Sequence, residues 1–188
     1  FEYQTDEIIR YLKEGKIDGA ILATPLDVKE LTEEHIFLEP FHLFLSPEHP
    51  LLKKKSIDQK ELDISEAWLL KEGHCMRAQA LQLCQVKKEG AEKNLFFEGG
   101  SLETLINMVK STKGFTVLPY LATVNLSKAD SELLREFKSQ VPVREISFVT
   151  GPMSMKTSIK DALLKVVTSV VPKELKKASS KAEVISIH

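Results

Sequence analysis

The stretch SLETLINMVKSTKGFTVLP, Ser101 to Pro119, decides the fold. Ser101 to Lys113 reads as a helix, because Leu102, Leu105, Ile106 and Val109 recur at helical spacing and make one apolar stripe. Ser101 is a natural N-cap: its hydroxyl accepts a hydrogen bond from an N–H that the first turn leaves free. Gly114 is a natural stop. Phe115 to Leu118 follows at once as a short apolar run suited to a buried strand, and Pro119 ends it.

The alternation continues outward in both directions. Asp6 to Glu14 carries Ile8, Ile9 and Leu12 at helical spacing, with Thr5 as its expected N-cap and Gly15 as its terminator. Ile17 to Thr24, IDGAILAT, predicts a buried strand closed by Pro25. Phe41 to Leu45 predicts another, followed by the turn-forming SPEHP. Leu52 to Leu62 is charged and expected at the surface, with Ser56 placed to cap a short helix ending near Leu62. Ala67 to Leu70, Leu95 to Glu98 and Val143 to Thr150 read as strands, and Ser158 to Val171 as an apolar-faced helix ended by Pro172. The tail after Lys173, rich in Lys, Ser and Ala, is expected to be mobile or superficial. Such alternation implies an α/β fold with mainly parallel sheets. The late strand near Val143 and the last helix are expected to return to the lobe begun by Ile17 to Thr24.

Composition narrows the function. With 188 residues the chain can bury a real core in one large domain or two small lobes. Its 26 basic and 27 acidic side chains leave a net charge of -1, which argues against a nucleic-acid-binding surface on this chain itself. No apolar run approaches the roughly 18 to 20 residues of a membrane helix. Phe1 to Arg10 has neither the basic start nor the apolar run of a signal peptide. Two cysteines are too few for a secreted disulfide scaffold. A cytoplasmic protein is expected, in which any disulfide is transient.

The chemistry concentrates in EGHCMRAQALQLC, Glu72 to Cys84. Good helix formers from Met76 to Leu83 make Cys75 the start of a helix, with Gly73 and His74 leading in. A thiol there meets the positive end of the helix dipole and the unpaired N–H groups of the first turn, which favour the thiolate. His74, if protonated, and Arg77 add to this field. The thiolate is the form that attacks peroxide oxygen, and the resulting sulfenic acid condenses with a thiol to a disulfide. Cys84 follows nine residues later. On an unbroken helix that separation is about 13 to 14 Å, whereas a disulfide needs Cα atoms within about 7 Å. Either the segment is not one helix, or bond formation must unwind it. The competing reading is that both cysteines are small buried apolar residues. His35, His42, His49 and His188 have no metal-ligand spacing with either cysteine, so no metal and no cofactor is expected.

GHCMRAQA, with a second cysteine nine residues after the first, resembles the redox loop of the OxyR proteins, members of the LysR-type regulator family. SLETLINMV (Ser101 to Val109), GFTVLP (Gly114 to Pro119), KIDGAILAT (Lys16 to Thr24) and EPFHLFLSPEHP (Glu39 to Pro50) resemble further segments of that family's effector domain, and together the resemblance runs roughly from Glu2 to Leu164. It implies that Cys75 is the peroxide-reactive thiol and Cys84 its resolving partner, with no enzymatic turnover. His74 and Arg77 fall on positions flanking the reactive cysteine, and Thr5 on a threonine that helps to hold peroxide. Ser101 and Glu103 match the start of a helix near the reactive loop, where they also read as a capping pair. Ala78 departs from the acidic residue expected after the arginine, which puts a local Arg–carboxylate pair in doubt. The segment between Cys84 and Ser101 is slightly longer than in familiar members, so the oxidised loop is open to a different rearrangement.

The fold implied is a two-lobed, periplasmic-binding-protein-like (type 2) effector domain, with residues 1–38 plus 142–188 in lobe I and 39–141 in lobe II. The family domain opens with a further strand and helix, and a winged helix-turn-helix that reads DNA precedes it. Both are expected to be missing, so the chain is expected to be N-terminally truncated. The partners implied are a second copy in a homodimer or homotetramer, DNA and RNA polymerase in the full-length protein, hydrogen peroxide, and a cellular thiol reductant. The alternative is a LysR-type effector domain that responds to a small molecule in the cleft between lobes.

Overall fold

One strand of 14 residues, β2 (Thr32–Leu45), carries most of the sheet pairing in the computed structural model. The structure describes residues 1–70, 75–84, 101–138, 140–153, 156–176 and 182–185. In chain order the other strands are β1 (Gly19–Thr24), β3 (Ser56–Ile57), β4 (Phe115–Pro119), β5 (Leu134–Phe137), β6 (Val141–Thr150) and β7 (Ala182–Val184). The helices are α1 (Thr5–Lys13), α2 (Cys75–Leu83), α3 (Leu102–Ser111), α4 (Tyr120–Thr123), α5 (Lys128–Ser131) and α6 (Thr157–Val170).

The first part of β2 pairs antiparallel with β6, from Thr32 opposite Thr150 to Pro40 opposite Val143. The last part pairs antiparallel with β4, from Phe41 opposite Pro119 to Leu45 opposite Phe115, and with β5 at Leu43 and Phe44. Strand β1 is antiparallel to β6. Among the named strands only β3·β5 and β6·β7 run parallel. The mainly parallel sheet expected from the alternation is therefore corrected to a mixed, mostly antiparallel one. The cause is the length of β2. Its first nine residues, TEEHIFLEP, hold only the short apolar run Ile36 to Leu38 between charged residues and end in proline, so the local pattern does not mark a strand there. A strand this long meets β6, β4 and β5 in turn, all running against it.

The pleat of β2 divides the packing beyond Pro40. Phe41, Leu43 and Leu45 share a core with Phe115, Val117 and Ile57, whereas Phe44 packs with Leu118, Ile106 and Val109 of α3. A separate core gathers Leu12, Ala23, Phe37, Ile146 and Val149 with Val171 and Leu175. The α3–β4 unit forms as expected. Ser101 caps α3 by accepting from the Thr104 N–H at 3.2 Å, and all five residues of β4 are buried. Gly114 sits at φ +113, where a Cβ would also strike the Glu66 carbonyl.

Several local expectations are corrected. Gln4, not Thr5, is the N-cap of α1; the Glu7 carboxylate accepts the Gln4 N–H at 3.3 Å, and Thr5 is the first helical residue. Asp58, not Ser56, caps the short turn Gln59–Glu61, and Ser56 instead begins β3. A carboxylate competes well for that free N–H. Ala67 to Leu70 makes one parallel bridge, Ala67 to Phe115, rather than a strand. Helix α6 carries its apolar residues Ile159, Val166 and Val170 exposed. The tail is tied down in part: β7 pairs with β6, and Ile185 is buried. The expected strand Leu95 to Glu98 lies outside the described residues. No helix among the described residues is long and apolar enough to cross a membrane.

Candidate redox site

The described part of helix α2 runs from Cys75, and the residues before it, among them the expected lead-in Gly73 and His74, lie outside the described residues. The helix runs unbroken to Leu83, and the Cys84 N–H still donates to the Ala80 carbonyl at 3.1 Å. The helical path therefore separates the Cα atoms of Cys75 and Cys84 by about 13 to 14 Å, roughly twice the reach of a disulfide. Of the two alternatives left open by the spacing, this is the continuous helix. His74 lies outside the described residues.

The buried face of α2 is formed by Met76, Gln79, Ala80 and Leu83, with Cys84 just beyond. Met76 packs with Leu70 and Leu105, which joins the start of α2 to α3. The Arg77 guanidinium donates to the Leu70 carbonyl at 3.3 Å and so ties the same turn to the preceding segment. Ala80, Leu83 and Cys84 lie in the core with Phe115, Phe137 and Ile185. Cys84 is a free thiol with 4% of its surface exposed. Burial pushes its pKa up to about 12, so it is protonated at neutral pH and a poor nucleophile where it stands.

A polar anchor missed by sequence reasoning lies on this face. Gln79 is fully buried, and its Nε2 donates to the Ile185 carbonyl at 3.1 Å. The Ile185 N–H in turn donates to the Val143 carbonyl at 2.8 Å. Helix α2 is thus linked through one residue of the tail to strand β6. The Gln79 Oε1 has no hydrogen-bond partner among the described residues. The local signal was a glutamine on the apolar side of a short helix; its partner 106 residues away had none.

The other predicted site residues are distributed as follows. Ser101 and Glu103 open α3, which reaches α2 through Leu105; the cap hydroxyl of Ser101 pairs with Thr104 rather than with Glu103. Thr5 lines a cavity of about 690 Å³ together with Glu39 and Arg144. Glu39 is fully buried there and ion-paired: the Arg144 Nε and Nη2 lie 2.8 and 2.7 Å from its Oε2, and the Leu121 N–H donates to its Oε1 at 2.8 Å. Cys75, Arg77 and Cys84 therefore share one helix and its end, with Ser101 and Glu103 on the neighbouring helix and Thr5 in the cavity wall on α1.

Residues 1–168 match the LysR substrate binding domain family. A hydrogen peroxide-inducible genes activator of Haemophilus influenzae is 35% identical over 154 residues, which are 82% of this chain and 50% of that protein. The crystal structure of OxyR from Porphyromonas gingivalis matches with a TM-score of 0.86 at 30% identity, covering 98% of this chain and 84% of that one. The reduced form of the OxyR regulatory domain from Pseudomonas aeruginosa matches with a TM-score of 0.76 at 29% identity, covering 89% and 80%. The chain spans about half the length of the curated relatives it matches.

Proposed function

Since the chain belongs to the LysR substrate binding domain family and within it to the OxyR regulatory domains, we propose that it senses hydrogen peroxide through Cys75 and Cys84 for a longer transcription regulator. The family is one of regulators and not of enzymes. The observation that carries this function is the placing of the two cysteines nine residues apart on one continuous helical path, with the second buried in the core.

The steps follow from that placing. The Cys75 thiolate attacks one peroxide oxygen; the O–O bond breaks, sulfenic acid forms and hydroxide leaves. The Cys84 thiol then displaces the sulfenic oxygen as water, and the S–S bond forms. This second step needs Cys84 to leave its apolar site, because a thiol with a pKa near 12 does not ionise there. It also needs α2 to unwind. Closing a ten-residue loop removes about 2.5 to 3 kcal/mol of chain entropy in the simple model, so the bond chemistry must offset that cost together with the packing lost from a short helix. His74 and Arg77 support the thiolate, Thr5 holds peroxide, and Ser101 and Glu103 border the loop.

In this function the domain divides into residues 1–38 plus 142–188 and residues 39–141, a division supported by the separate cores on the two parts of β2. The remodelled helix alters contacts between copies in a homodimer or tetramer, and a DNA-binding winged helix-turn-helix outside this chain carries the signal to DNA and RNA polymerase in the cytoplasm. A cellular thiol resets the disulfide. A non-reducing peptide map before and after micromolar peroxide tests the chemistry. The expected product is a Cys75–Cys84 disulfide, absent in Cys75→Ser and replaced by a longer-lived sulfenate in Cys84→Ser. A map unchanged by peroxide at neutral pH overturns it.

The cavity walled by Thr5, Glu39 and Arg144 favours a second reading, a small-molecule effector between the lobes. That reading predicts a ligand-dependent rise in thermal stability with both cysteines replaced by serine.

A further inference from the structure

A second concavity, of about 590 Å³, lies away from α2 and is lined by His42, Leu52, Lys53, Lys54, Lys55, Leu134, Arg135 and Glu136. In a chain whose net charge is -1, five of these eight residues are basic or imidazole and one is acidic. The arrangement is held rigidly. The Arg135 Nε donates to the Lys54 carbonyl at 2.6 Å and its Nη2 to the Leu52 carbonyl; Nη1 donates to the carbonyls of Glu132 and Leu134 at 2.9 and 2.6 Å. These acceptors are all main-chain oxygens, so the guanidinium clamps the lysine loop to β5 without spending its charge on a carboxylate. Lys54 is paired with Glu61. Lys53 and Lys55 have no carboxylate partner among the described residues.

His42 lies beside these cations. It lines the same concavity, and its Nδ1 is buried with no hydrogen-bond partner among the described residues. Burial holds its pKa below the ordinary histidine value, against the opposing pull of Glu136 and Glu39. Lys53, Lys55 and Arg135 have no carboxylate partner among the described residues, so the concavity favours a group that accepts hydrogen bonds and carries negative charge.

We propose that this concavity, formed by His42, Lys53, Lys55 and Arg135, binds a small polyanion of the phosphate-ester or pyrophosphate class. Lys53 and Lys55 reach the anion from the rim, Arg135 supplies a fixed field, and Leu52 and Leu134 offer an apolar wall to whatever carries the phosphate. The site is independent of the cysteines.

Inorganic pyrophosphate titrated into the whole chain tests this, followed by calorimetry and by amide chemical shifts. The expected result is saturable binding, with shifts at Lys53 to Ile57 and Arg135 to Phe137. Replacing both exposed lysines, Lys53→Gln with Lys55→Gln, is expected to weaken binding about tenfold or more, as the loss of two charge-assisted contacts implies. The control Lys29→Gln with Lys165→Gln removes the same charge elsewhere and is expected to leave affinity unchanged. His42→Gln, which retains a polar group, is expected to give an intermediate loss. An equal loss in the control pair, shifts confined to other surfaces, or binding of a DNA duplex but not of pyrophosphate overturns the proposal.

Discussion

Helices α2 and α3 are nearly equal in length, nine residues against ten, but they are held in different ways. Helix α3 is encoded locally. A serine caps it, Leu105, Ile106 and Val109 form its buried stripe, and a glycine at positive φ follows its end. Helix α2 owes more to distant partners. Its buried face includes a glutamine, and that glutamine's bond is to a residue near the end of the chain. A helix whose stability comes mostly from tertiary contacts is the one that a new covalent bond can remake. The difference explains how redox chemistry could act on α2 while α3 stays as the fixed surface beside it.

The comparison can be broken most directly at Leu105, which serves both helices. Leu105→Ala is expected to cost about 2 to 5 kcal/mol, measured by urea unfolding, and to loosen both helices in hydrogen exchange. Loss of protection in α2 alone would show that the shared cluster belongs to that helix.

Alkaline pH acts on α2 through Cys84. Cys84 is raised in the folded state, so its neutral form is favoured by folding. The stability it contributes is complete below the ordinary cysteine range. That stability is lost as pH rises from about 9, where the unfolded thiol ionises, through the folded value of about 12. In a Cys75→Ser background, the stability difference from Cys84→Ala is expected to change by up to about 4 kcal/mol across that window. A flat difference between pH 8 and 11 would show that Cys84 is solvated in the native state.

Gln79→Ala leaves the buried Ile185 carbonyl without its donor. The expected cost is about 1 to 3 kcal/mol, with faster amide exchange in α2 and β7 and none in α3. Ser101→Ala is the counterpart for α3 and the smallest effect, about 1 kcal/mol from the lost cap. It is expected to fray the first turn of α3 without altering the rate at which peroxide oxidises Cys75.

Much of this contrast was legible before the fold was known. The stripe of α3, its serine cap and the buried strand Phe115 to Leu118 rest on local rules, and the structure agrees with them. The failures have a common origin. Thr32 to Pro40, a short apolar run between charged residues with a proline at its end, does not signal a strand until β6 is laid beside it. Ala67 to Leu70 has strand composition, yet only Ala67 finds a bridge, to Phe115. The Glu39–Arg144 pair joins residues 105 positions apart, and neither has a local mark of burial.

By itself the sequence determined which faces of α1 and α3 are apolar and where α3 starts and stops. Those are properties of neighbouring residues, set by side-chain periodicity and by hydrogen bonds within one turn. Tertiary structure alone decided the antiparallel course of β2, the burial that keeps the Cys84 thiol protonated, and the docking of Ile185 against Gln79. Each of these depends on desolvation and pairing between distant segments, and such energies exist only once the chain has brought the segments together.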